Sequence, residues 1–187
     1  MKDIECQYDT NNVYLAQFLE QIKKARGRNW ISSSRLKGIE NTAEKLLEEA
    51  EKACNMNNYR EAFYMASAIA EAMVETMNST TDDCGYESDI LDRAIELLKI
   101  ISQKNTKEAV RIKLFSYILN HCNSSPFDYA IDGEANAFEA LIYLISDDEE
   151  RTQVKNIIET YYSKYDLRQN NQLAEEYNRL MNLMKAV

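Results

Sequence analysis

Apolar residues recur along almost the whole chain at the spacing that puts side chains on one face of an α-helix. Leu15, Phe18, Leu19 and Ile22 make the first stripe. Ile39, Ala43, Leu46, Leu47, Ala50, Ala53 and Cys54 make the second, with Glu44, Glu48, Glu49 and Lys52 on the other side. A third runs from Ala62 and Phe63 through Ala66, Ile69 and Ala70 to Met73 and Met77. A fourth joins Ile90, Leu91, Ala94, Ile95, Leu98 and Ile101. Leu114, Phe115, Ile118 and Leu119 form a fifth, and Phe138, Leu141, Ile142 and Ile145 a sixth. Val154, Ile157, Ile158, Tyr161 and Tyr165 form a seventh, and Leu173, Tyr177, Leu180, Met181 and Met184 an eighth.

Helix boundary signals divide the chain at the same places. Ser146-Asp147-Asp148-Glu149 reads as a capping box, with Ser146 satisfying an early N–H and Glu149 reaching back. Acids from Asp147 to Glu150 also suit the positive end of a helix dipole. Ser88 and Thr106 are candidate N-caps. Asn55–Asn58 is a short polar break, Asn78–Gly85 a longer one, and Pro126 follows Asn123-Ser124-Ser125. The pattern predicts an all-α fold of about eight antiparallel helices of roughly 14–20 residues, stacked as αα-hairpins because the links are short. No inter-domain linker interrupts residues 1–187, so one domain is expected.

Composition narrows the class. Four Gly and one Pro in 187 residues are too few for the turns of sandwiches, barrels or propellers. Neither G-x-G-x-x-G nor G-x-x-x-x-G-K is present, and a single His excludes a His-rich metal site. The net charge of −9 is uneven: residues 1–37 carry seven basic and four acidic residues, the remainder 15 and 27. An acidic chain is repelled by nucleic-acid and anionic lipid surfaces. No apolar run is long enough to span a membrane, and the polar start after Met1 reads as no signal peptide. Cys6, Cys54, Cys84 and Cys122 are isolated, the usage of reduced thiols, so a cytoplasmic location is expected.

The stretch Asn58-Tyr59-Arg60-Glu61-Ala62, with Ala66 and Ile69 beyond it, resembles the Gly-Asp-Tyr-x-x-Ala opening of the second helix in a tetratricopeptide hairpin. There the tyrosine packs between two helices and the small residue lets them approach. Asn58 stands where that pattern prefers Asp, the proline after the second helix is absent, and no second copy follows at the family's period. The resemblance implies a tetratricopeptide-like α-α superhelix.

A second resemblance runs over about residues 28–165. The order is Asn29-Trp30-Ile31, a helix, Tyr59-Arg60-Glu61-Ala62-Phe63, an acidic loop Asp82-Asp83-Cys84-Gly85-Tyr86, then Asp89-Ile90-Leu91 and Leu114–Leu119. It is similar to the helical region that follows the zinc finger in bacterial SWIM-type proteins. The resemblance implies a helical module beside a finger that binds nucleic acid or protein. The finger's Cys-x-Cys and Cys-x-His are missing, since His121 and Cys122 are adjacent, so its role does not carry over. Cys84 also replaces an acid of the family loop, and only Gly85 of its glycine pair remains.

Four features offer chemistry. Asp82, Asp83, Glu87 and Asp89 supply hard oxygens for a cation, but without the spacing of a calcium loop; a turn plus a helix cap is the preferred account of them. His121 and Cys122, as neighbours on a helix, point about 100° apart and cannot form a nucleophile–base pair; His121 suits a helix C-terminus. Lys23, Lys24, Arg26, Arg28, Arg35 and Lys37 surround Trp30 with no acid between Gln21 and Lys37. That mixture of cations and an aromatic could contact phosphate and stack on a base, or could cap a helix and pair with acids. Twelve tyrosines, with Tyr161, Tyr162 and Tyr165 on one helix, suit helix packing and protein interfaces.

Together these features lead to the expectation of a non-catalytic helical module that binds another protein or a peptide, with no cofactor and no metal. Nucleic-acid contact through Lys23, Lys24, Arg26, Arg28 and Trp30 of the segment 23–37 is the alternative. An enzyme would need converging carboxylates, a pair of buried acids facing each other across helices, for which the Glu44, Glu48, Glu51 face is the candidate.

Overall fold

The computed structural model describes residues 13–25, 33–78, 85–104, 106–124 and 132–187. Among them the chain forms eight helices: α1 (Val13–Ala25), α2 (Ser33–Asn55), α3 (Tyr59–Asn78), α4 (Gly85–Ser102), α5 (Glu108–Ser124), α6 (Gly133–Leu144), α7 (Asp148–Tyr162) and α8 (Asn171–Ala186). Each carries one of the eight stripes. The lengths spread wider than expected, from 12 residues in α6 to 23 in α2.

Substantial contacts join helices that are one or two positions apart along the chain. Odd-numbered helices touch in succession, and so do even-numbered ones. Polar bonds follow the same alternation. Arg93 on α4 binds Glu44 (2.9 Å) and Glu51 (3.4 Å) on α2. Lys99 on α4 donates to Asn136 on α6 at 2.7 Å, and Arg179 on α8 pairs with Glu139 on α6 at 2.7 Å. In the odd row, Tyr117 on α5 donates to the Ser67 carbonyl on α3 at 3.1 Å, and Arg111 on α5 pairs with Glu150 on α7 at 2.9 Å.

The core is continuous from Leu15 and Phe18 on α1 to Leu180 and Met184 on α8. Helices α3 and α6 lie deepest and are buried nearly all round. Alanines 62, 66, 68, 70 and 72 thin the surface of α3, letting α2 and α4 close on it from two sides. Around α6, Phe138 is fully buried and meets Tyr161 edge-on at 5.2 Å and Tyr162 at 6.2 Å. Sequential hairpins would set α5 against α4, yet α4 packs far more on α6. Helix α5 touches α3 and α4 only lightly, and space remains beside the start of α3.

Three helix boundaries differ from the sequence expectation. The cap of α7 is Asp147, which accepts from the Glu150 N–H at 2.8 Å, while Glu150 reaches back to the Ser146 N–H and hydroxyl, each at 2.9 Å. The cap thus lies one residue later than read, and Glu150 closes back on Ser146, the residue before the cap, while also holding Arg111. At α5 the Lys107 carbonyl, not Thr106, takes the first bonds, from the Val110 and Arg111 N–H groups. Helix α4 begins at Gly85, which places Ser88 inside the first turn and not at the cap.

The break between α2 and α3 is tight. Asn57 has φ 61°, the Asn58 N–H reaches the Ala53 carbonyl at 2.8 Å, and the Asn57 N–H reaches that of Cys54 at 3.0 Å. This is the Schellman closure, with Asn57 in the left-handed position that asparagine tolerates. It turns the chain directly into α3 and presents Asn57, Asn58, Tyr59 and Arg60 at one edge of the molecule.

Candidate functional site

That edge forms one wall of a groove of about 490 Å³. Tyr59, Arg60, Phe63 and Tyr64 of α3 face Thr106, Lys107, Val110 and Lys113 at and beyond the start of α5. Phe63, Tyr64 and Val110 are buried and make the apolar floor. Arg60, Lys107 and Lys113 are exposed at the rim.

Tyr64 organises the cations. The Lys113 ammonium donates to its hydroxyl at 3.1 Å and lies 5.6 Å from the ring centre; the Arg60 guanidinium lies 5.5 Å from the same centre. The Arg60 contact uses the negative face of the ring, while Lys113 meets its hydroxyl end. Burial opposes ionisation of the phenol, but hydrogen bonds and charge from Lys113 and Arg60 outweigh it and hold the Tyr64 hydroxyl below its usual range. Behind Tyr64 an aromatic row fixes the floor: Phe63 at 5.3 Å, then Tyr117 edge-on to Phe63 at 5.9 Å, then His121 against Tyr117 at 4.2 Å. The positive ends of two helix dipoles also open on the groove, since α3 starts at Tyr59 and α5 at Glu108. The nearby first-turn acids are occupied: Asn58 donates to Glu61 at 2.6 Å, and Arg111 holds Glu108 at 2.9–3.0 Å.

The residues singled out from sequence fall elsewhere. Lys23 and Lys24 are exposed in the last turn of α1, with Lys24 paired to Glu20 at 3.2 Å. Arg26, Arg28 and Trp30 lie outside the described residues, as do Asp82, Asp83 and Cys84 of the acidic loop. Glu87 and Asp89 sit in the first turns of α4, Glu87 buried and Asp89 exposed. No group of three or more metal-ligating side chains occurs among the described residues. His121 lies in the last turn of α5, where burial pushes its pKa down and its Nδ1–H donates to the Tyr117 carbonyl at 2.8 Å. Tyr162 is buried and bonds Glu176, Tyr161 is half-buried, and Tyr165 is exposed.

Of the Glu44, Glu48, Glu51 face, Glu44 and Glu51 are consumed by Arg93, and Tyr86 also donates to Glu44 at 3.1 Å. A facing pair of acids does exist one turn earlier. Burial, then the charge of Glu87 and a hydrogen bond with it, push the Glu40 carboxyl up. Glu87 is only 1% exposed, so a buried carboxyl of α4 lies beside Glu40 of α2.

Sequence reasoning singled out Tyr59 and Arg60 only as parts of a packing motif and missed Tyr64, Lys107 and Lys113. A signal was available for Arg60 and Tyr64, four residues apart on one helix face. Nothing local links either to Lys113, which lies 49 residues beyond Tyr64. No protein-family model, curated protein or solved structure matches the chain.

Proposed function

We propose that the chain is a non-catalytic, tetratricopeptide-like helical module that binds a segment of another protein in the α3–α5 groove. The groove carries the reading. Its volume is within the ~300–1,000 Å³ of ligand sites, its floor is aromatic and aliphatic, and polar groups rim it. Most of its lining, including Arg60, Phe63, Tyr64, Val110 and Lys113, is on helices, which hold recognition groups more precisely than loops. The alternation of contacts between helices one and two positions apart supports αα-superhelical stacking. The order α2, α3, acidic segment, α4 and α5 supports the likeness of residues 28–165 to the SWIM-associated helical region, whose role would then be this binding. Isolated cysteines favour the cytoplasm as its place.

The raised Glu40 carboxyl beside buried Glu87 favours a second, acid–base reading, since neighbouring carboxyls are a means of general catalysis. We assign it to structure, because Arg93 and Tyr86 consume the next acid along the same face in tying α2 to α4.

Selection of phage-displayed random peptides on the immobilised protein tests the binding reading. Counter-selection uses Ala109→Trp, which puts an indole at an exposed position lining the groove. Peptides enriched on the natural chain and lost on Ala109→Trp are expected. Enrichment that ignores Ala109→Trp, or none at all, refutes the groove as the site.

A further inference from the structure

The groove's charge runs against that of the molecule around it. The chain carries −9, yet Arg60, Lys107 and Lys113 converge on one cleft. Among the described residues none of the three forms an ion pair, while Arg93, Arg111 and Arg179 are each committed to carboxylates of neighbouring helices. The starts of α3 and α5 add partial positive charge at the same place. Lys113 is already held at the Tyr64 hydroxyl and Arg60 over its ring, so fewer rotamers are lost when they engage a ligand. The floor of Phe63 and Val110 lies beside these cations and asks for an apolar side chain.

Extent decides which anion fits. Screening confines the pull of three cations to about 8 Å at physiological ionic strength. A long polyanion would run on over a surface whose net charge repels it. A short segment with one or two carboxylates next to a large apolar residue meets the cations and the floor and little else.

We propose, resting on the groove reading above, that the occupant is an acidic peptide. An Asp or Glu carboxylate lies among Arg60, Lys107 and Lys113, and the adjoining Leu- or Phe-like side chain covers Phe63 and Val110. Charge-assisted hydrogen bonds supply specificity, and the aromatic floor supplies contact area.

Fluorescence anisotropy on the full chain tests this with four labelled probes: a synthetic peptide of alternating Glu and Leu, its Gln–Leu and Lys–Leu counterparts, and an oligouridylate. The Glu–Leu peptide is expected to bind at least ten-fold tighter than the Gln–Leu peptide, and to weaken as salt is raised. Lys107→Gln with Lys113→Gln, both exposed positions, should reduce that affinity about ten-fold while leaving the helical circular dichroism unchanged. Ala109→Trp should abolish it. Equal binding of the Glu–Leu and Gln–Leu peptides, lost in Ala109→Trp, overturns the acidic preference and leaves the peptide groove standing. Tighter binding of oligouridylate that depends on Lys107 and Lys113 overturns the peptide occupant in favour of nucleic acid. Peptide binding insensitive to Ala109→Trp, or no binding by any probe, overturns the proposal; phage selection then decides separately whether the groove binds peptides at all.

Discussion

Arg111 joins three parts of the fold, and its removal should be costly. The side chain is 16% exposed and reaches Glu150, itself 16% exposed, with bonds of 2.9 and 3.1 Å. It also donates to the Leu144 carbonyl at the end of α6, at 2.8 Å. Its link to Glu108 is on the surface and contributes little. Arg111→Ala therefore removes charge-assisted bonds from a largely desolvated place and leaves the Leu144 carbonyl without that donor. Hydrogen bonds to charged groups contribute about 1.5–3 kcal/mol, and breaking a fully buried pair costs about 3–5. Partial exposure places Arg111→Ala at about 2–3 kcal/mol, or roughly 5–10 °C in Tm for a chain of this size. Arg111→Lys keeps the charge but not the planar fork, so about 1–2 kcal/mol is expected. Urea unfolding followed by circular dichroism measures these differences. A double-mutant cycle with Glu150→Ala should give a coupling of about 1–2 kcal/mol. A loss below about 1 kcal/mol for Arg111→Ala, with no coupling to Glu150, would show that the contact behaves as an ordinary surface pair and refute the reasoning.

Other consequences follow from single contacts. Phe138→Ala empties a fully buried site between α6 and the α7 tyrosines, and thermal or urea melts should show a loss of about 3–5 kcal/mol. Asp147→Ala removes the cap of α7 and should cost about 1 kcal/mol by the same measurement; an unchanged midpoint would deny the cap its role. The raised Glu40 carboxyl makes a contribution that is full below its ordinary value of 4.5 and is lost as pH rises through the folded value. Glu87→Gln removes the carboxyl beside Glu40 and should raise stability near neutral pH. It should also flatten the decline in stability as pH rises above 4.5 in urea titrations, and an unaltered profile would deny Glu87 a part in raising the Glu40 carboxyl.

Much of this protein is legible from local pattern. Eight apolar stripes give eight helices, because each stripe is a property of neighbouring residues and the period of a helix is set by the backbone. The polar break at Asn55–Asn58 is likewise local, since a left-handed asparagine and two backbone bonds close it. Cap registers lie at the limit. Ser146 and Asp147 can both cap by local chemistry, and the choice turns on Glu150 serving Arg111 from a different helix.

Only tertiary structure decides how the stripes meet. A stripe states that one face is buried, not against what, so the preference of α4 for α6 over α5 is invisible in sequence. The groove follows from that preference. Its apolar floor is ordinary core sequence, and Lys107 before α5 and Lys113 on it read as ordinary solvated residues. They line one groove because α5 stands slightly apart from α3 and α4, which brings two lysines beside an arginine and a tyrosine some fifty residues earlier. The charge of three cations is fixed by composition, but its concentration in one cleft of an acidic molecule depends on through-space distance, over which electrostatic energy falls.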